Sequence, residues 1–122
     1  MVIFPDFVQI GAHRYKIIYP HVFKERFDRD GMADHELLEI WISNRDVGGN
    51  IKPDTNVLLT FFHELIHCID TVYLQKAIGK RDDAEAVING LAEGLTQAYW
   101  ACAFPQISGN TGSAKEETSC PL

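Results

Sequence analysis

Apolar and polar positions change their period once along this chain, and the change separates two regions of different predicted structure. In "FVQIGAHRYKIIY" (7–19) the second half alternates, after a break at Gly11. That pattern predicts a β-hairpin or two short strands. "PHVFKERFDRD" (20–30) starts with Pro20 and sets Val22, Phe23, Arg26 and Phe27 at helical spacing, which predicts a short helix. "DRDGMADH" (28–35) reads as a polar loop carrying Gly31. "LLEIWIS" (37–43) reads as a strand, and "NRDVGGNIKPD" (44–54) as a turn-rich connection.

From Asp54 to about Leu74 the apolar residues fall at 58, 61, 62, 65, 66, 69, 72 and 73, a helical period. Pro53, Asp54 and Thr55 supply start signals, and Gly79 in "AIGKRDD" (77–83) a stop. A second helix is predicted from about Asp82 to Ala103, capped by Asp82 or Asp83 and ended by Pro105. Its expected apolar face is Val87, Ile88, Leu91, Leu95, Ala98, Tyr99 and Cys102. The remainder, 106–122, is rich in Gly, Ser, Thr and Glu and is expected to be disordered. Strands first and helices after predict an α+β domain over 1–105, with both long helices packed together on one side of a small sheet.

Composition narrows the class. A length of 122 residues fits one domain, and 46% apolar with 23% charged residues is the balance of a globular protein. The net charge of −6 and the lack of a Lys/Arg cluster argue against nucleic acid or an anionic membrane as partner. No apolar run approaches the roughly 20 residues that cross a bilayer. "MVIFPDF" lacks the basic and long apolar regions of a leader, so a cytoplasmic location is expected. Cys68 and Cys102 fall in helical patterns and Cys120 in the tail; all three read as reduced thiols.

The chemistry concentrates in "FFHELIHCID" (61–70). His63 and His67 are four apart, so on a helix both imidazoles lie on one face and can reach one zinc ion at about 2.0–2.1 Å. Glu64 is rotated by about 100°, badly placed as a ligand but well placed as a general base beside the ion. The apolar flanks Phe61, Phe62, Leu65, Ile66 and Ile69 would half-bury this polar triple, and a metal is one way to satisfy it. The plainer alternative is an amphipathic helix with surface histidines. Asp70 is placed to accept the second N–H of a ligating imidazole.

A third ligand has to come from elsewhere. His13, His21 and His35 lie upstream. Downstream, "EAVINGLAEGL" sets Glu85, Asn89 and Glu93 in one stripe. Glu85 is the preferred ligand, with Asn89 supporting a histidine or Glu85 itself. Gly90 and Gly94 are expected to thin the helix for close approach. Glu85 faces the middle of an antiparallel partner only if the two helices are offset. An unshifted pair would bring Glu93 nearer to His67.

"HELIH" followed after a short spacer by a helical "ExxxN" resembles the gluzincin branch of zinc metallopeptidases. Small size and the order strand, "HELIH", "EAVINGLAEGL" resemble the minimal zincins of bacteria and phages, such as the SprT-like and ImmA/IrrE-like peptidases. The resemblance covers about 37–100. No C-x-x-C pair and no extended metzincin motif accompany it. It implies one zinc per chain held by His63, His67 and Glu85, and peptide-bond hydrolysis with Glu64 as base. It also implies that the strand before the motif helix, here "LLEIWIS", pairs with an extended peptide substrate. A Tyr or His for the oxyanion would come from His35, Tyr73 or Tyr99. The competing reading is a zinc-holding regulatory or partner-binding module with little turnover, for which Glu64 would be unnecessary.

Overall fold

The alternating segment forms the expected hairpin: β1 (Phe7–Ile10) and β2 (His13–Ile18) pair antiparallel, with Ile10 opposite His13. Gly11 turns the chain at φ +61°, and a Cβ there would stand 2.7 Å from Val72. Both the left-handed backbone and the close approach require glycine. The computed structural model describes residues 2–23 and 30–103. Two further strands follow, β3 (Gly31–Asp34) and β4 (Glu39–Ile42), and then two helices, α1 (Asp54–Tyr73) and α2 (Ala84–Ala103). The architecture is α+β, with a mixed four-stranded sheet in the order β1-β2-β4-β3. β2 and β4 are parallel; β3 and β4 are antiparallel.

Two expectations are corrected here. Residues 31–34, read as loop, are a strand. The turn after it is fixed by Asp34, whose carboxylate accepts the N–H groups of Glu36 and Leu37, and by Leu38 at φ 57°. Pro20–Phe23 carries no helix, and the rest of the helix expected over 20–30 falls on 24–29, outside the described residues. The 106–122 tail also lies outside them. The two helices pack together, as expected, with α1 on β1, β3 and β4 and α2 on α1 alone among the described elements.

α1 is therefore the middle layer, and its sequence has two apolar faces. Val57, Phe61, Leu65, Cys68, Ile69 and Val72 pack with Ile10, Tyr15, Ile17, Ile40 and Ile42 of the sheet. Leu59, Phe62 and Ile66 meet Ile88, Ala92 and Leu95 of α2, with Ile78 from the connection. The expected face of α2 is thus rotated. Ile88, Ala92 and Thr96 are the buried residues, four apart, while Leu91 and Tyr99 are exposed. Small residues at 92 and 96 permit the approach; nothing lies within 4 Å of a Cβ at Gly90 or Gly94, which face open space instead.

Candidate metal centre

At 100° per residue the two apolar faces of α1 leave one polar sector, and His63, His67, Thr60 and Glu64 occupy it. One flank of the sector faces α2 and the other faces the edge strand β3. His63 falls nearest α2, Glu64 nearest β3, and His67 between them. The division of neighbours follows from this order along the helix surface.

From the α2 side, Glu85 reaches over both imidazoles. Its Oε1 lies 3.5 Å from His63 Nε2 and its Oε2 3.6 Å from His67 Nε2. The two Nε2 atoms are 3.3 Å apart. A tetrahedral zinc with bonds of about 2.0–2.2 Å sets neighbouring ligand atoms about 3.3–3.6 Å apart. The two nitrogens, and each nitrogen with the carboxylate oxygen nearest to it, stand at such separations, one oxygen of Glu85 facing each ring. His63, His67 and Glu85 together form the candidate ligand set, all their donor atoms within 4.8 Å. Burial and the facing His63 ring lower the His67 pKa below its ordinary 6.5, against the opposing pull of Glu85. A neutral ring at pH 7 is the form a metal needs.

From the β3 side, Gly31, Met32, Ala33 and His35 join His63, Glu64 and His67 around a cleft of about 410 Å³. Glu64 thus lies in the cleft wall, outside the three-residue cluster. The strand comes this close because residue 31 is glycine. A Cβ there would stand 2.6 Å from Thr60 Cγ2, 3.2 Å from Glu64 Cγ and 3.2 Å from the Trp41 carbonyl oxygen.

His35 sits at the end of the cleft in a polar chain. Its Nδ1 shares a hydrogen bond with the Tyr15 hydroxyl at 3.0 Å, and its Nε2 lies 3.3 Å from Thr71 Oγ1. Burial, with help from Lys76, lowers its pKa. Beneath it, burial and the charge of Glu64 push the Cys68 thiol up to about 12, so this cysteine is an inert core group.

Other expected site residues lie elsewhere. Asp70 does not serve a histidine: its two carboxylate oxygens accept the N–H groups of Ile78 and Gly79 at 2.9 and 2.8 Å. Asn89 is exposed and makes no hydrogen bond to the site among the described residues. Glu93 lines a separate groove with Thr55, Asn56, Leu59 and Trp100, toward the opposite ends of the helices. That groove is the larger cavity, about 570 Å³, but it gathers no set of titratable groups. The Tyr73 hydroxyl accepts the Gly11 N–H at 2.7 Å, which ties the hairpin to α1, and Tyr99 packs against Phe62.

One more expectation changes. β4, the "LLEIWIS" strand, is paired on both sides and has no free edge for a peptide. The edge beside the site belongs to β3. Sequence reasoning missed this strand because four residues that include a glycine show no period. The Asp34 turn, an aspartate two and three residues before the N–H groups it accepts, was the available signal.

No protein-family model matches the sequence, and no curated protein and no solved structure is significantly similar to it.

Proposed function

We propose that this chain is a small zinc-dependent peptidase of gluzincin type. The observation that supports it most is the triangle of His63, His67 and Glu85, with Glu64 set apart in the adjoining cleft. His63 and His67 from one turn of α1, and Glu85 from the start of α2, would hold the ion. When bound, zinc would supply Lewis acidity toward a carbonyl oxygen and lower the pKa of water toward about 7.

The chain's own residues do the rest. Glu64 takes the proton of the attacking water on its carboxylate and returns it to the departing amine. Among the described residues β3 is an edge strand of the sheet beside the cleft, where an extended peptide can add as a further strand. Gly31 keeps that edge close to Glu64. The net charge of −6 is no asset toward nucleic acid, and among the described residues no helix is long and apolar enough to cross a membrane. The site's partner in this reading is a peptide or protein segment, met in the cytoplasm.

A second reading has its own support. Both ring nitrogens of His35 are engaged by Tyr15 and Thr71, and the Tyr73 hydroxyl serves the hairpin. A zinc-holding module that binds a partner without turnover needs no oxyanion donor. Metal analysis of the purified chain, followed by incubation with a peptide library and mass spectrometry, tests both. The peptidase reading requires about one zinc per chain and new peptide termini that vanish in Glu64→Gln. Zinc without cleavage favours the module, and less than about 0.2 zinc per chain refutes both.

A further inference from the structure

Asp70 is an acidic residue buried to 3% exposure, three residues after His67 on α1, and the proposed chemistry does not use it. It binds the connection between the helices at four points. Its side chain accepts from Ile78 N–H at 2.9 Å and Gly79 N–H at 2.8 Å. Its backbone carbonyl accepts from Leu74 N–H at 3.2 Å and Lys76 N–H at 2.8 Å. Those bonds hold a reversal in which Gln75 and Lys76 take φ of 52° and 63°, a conformation that non-glycine residues seldom adopt unaided.

The anchored stretch leads directly to the third ligand. Ile78, whose N–H the carboxylate holds, also packs into the Ile66, Ile88 and Ala92 cluster between the helices. From there Arg81 N–H bonds to the Ile78 carbonyl and Ala84 N–H to the Arg81 carbonyl, and α2 begins. Glu85 is its second residue. The Glu85 side chain is 67% exposed, so burial does little to fix it over the imidazoles. What places it is the start of α2, and α2 touches nothing but α1 among the described elements.

We propose that Asp70 is a positioning residue for the metal centre: by clamping residues 78 and 79 it sets the entry of α2 and so delivers Glu85 to His63 and His67. The inference rests on the zinc reading of that cluster. It predicts an effect on zinc affinity that runs through Glu85 alone. Asp70→Asn keeps the shape of the side chain but replaces one acceptor oxygen by a donor facing an N–H. Gly79→Ala reaches the same contact from the connection, since its Cβ would stand 3.2 Å from Asp70 Oδ2.

The test is a double-mutant cycle read by zinc titration against a chromophoric chelator, with cobalt absorption as a second readout of ligand geometry. In the parent background each variant should weaken zinc binding about tenfold and lower the intensity of the cobalt bands. In a Glu85→Ala background, where two histidines remain, neither variant should change zinc affinity by more than about twofold. Equal losses in both backgrounds, or a folded Asp70→Asn with parental affinity, overturn the inference. If Asp70→Asn does not fold by circular dichroism, Gly79→Ala decides by the same criteria. A parent chain that binds no zinc would refute the metal reading itself, a result separate from additive losses in a zinc-binding parent.

Discussion

Gly31 of β3 lies flush against Thr60 of α1, so close that a Cβ on the glycine would stand 2.6 Å from the threonine methyl. The same Cβ would press on Glu64 Cγ at 3.2 Å. Gly31→Ala is therefore expected to lower stability by about 1–3 kcal/mol, the usual cost of overpacking, and to displace Glu64. Thr60→Ser removes the methyl and keeps the hydroxyl bond to the Asn56 carbonyl at 3.1 Å. The double variant should recover most of the loss in urea unfolding. No recovery would show that the methyl is not the obstacle, and leave it to the Trp41 carbonyl and Glu64 Cγ.

Glu85 and Glu93 share a helix, but only Glu85 lies within reach of the imidazoles. Glu85→Ala is expected to weaken zinc binding by on the order of 10²-fold, and Glu93→Ala to leave it nearly unchanged. Competition against a chelator of known affinity measures both. The reverse ranking would transfer the ligand role and leave His63 and His67 in place.

Glu64 borders the cleft without joining the ligand cluster. Glu64→Gln should retain one zinc per chain while any peptide cleavage falls by several orders of magnitude. Zinc loss in this variant would mean that Glu64 is a ligand. Undiminished cleavage would remove it from the mechanism.

Acid should destabilise the metal-free chain in a defined window. Burial lowers the pKa of both His35 and His67 from 6.5. The unfolded chain then binds more protons than the folded one as pH falls toward that value. These two groups leave stability flat well above 6.5 and reduce it as pH drops below, until their folded-state values are passed. The lowered carboxyls of Asp46 and Asp83 act only nearer pH 4, in the same direction. Urea midpoints in chelator should fall between pH 7.5 and 5.5, and less steeply in His35→Gln. An unchanged slope in that variant would remove His35 from the linkage.

What could be seen in advance follows from how local each signal is. The α+β class and the two helices were legible because apolar period and Gly or Pro punctuation are properties of short windows. The hairpin was legible for the same reason, since Gly11 marks its turn. The meeting of Glu85 with "HELIH" depends on an offset between two helices, which no window contains. That offset goes with the Asp70 carboxylate, which accepts N–H groups eight and nine residues further on, and with the burial of Ile88 and Ala92. The sheet edge beside the site was illegible because β3 is defined by its pairing to β4 and by the space beside Thr60, not by its own four side chains.

Because α2 packs on α1 alone among the described elements, with Ile78 of the connection beside them, it forms an outer layer attached along one helix–helix seam. Amide hydrogens in such a layer exchange through its own opening, without unfolding of the sheet. A ligand that bridges the seam through Glu85 adds its binding free energy to that opening step and to no other, about 4 kcal/mol when free ligand is a thousandfold above its dissociation constant. Metal loading would thus raise protection across 84–103 selectively, so that this half of the helical pair reports occupancy of the site by its exchange rate.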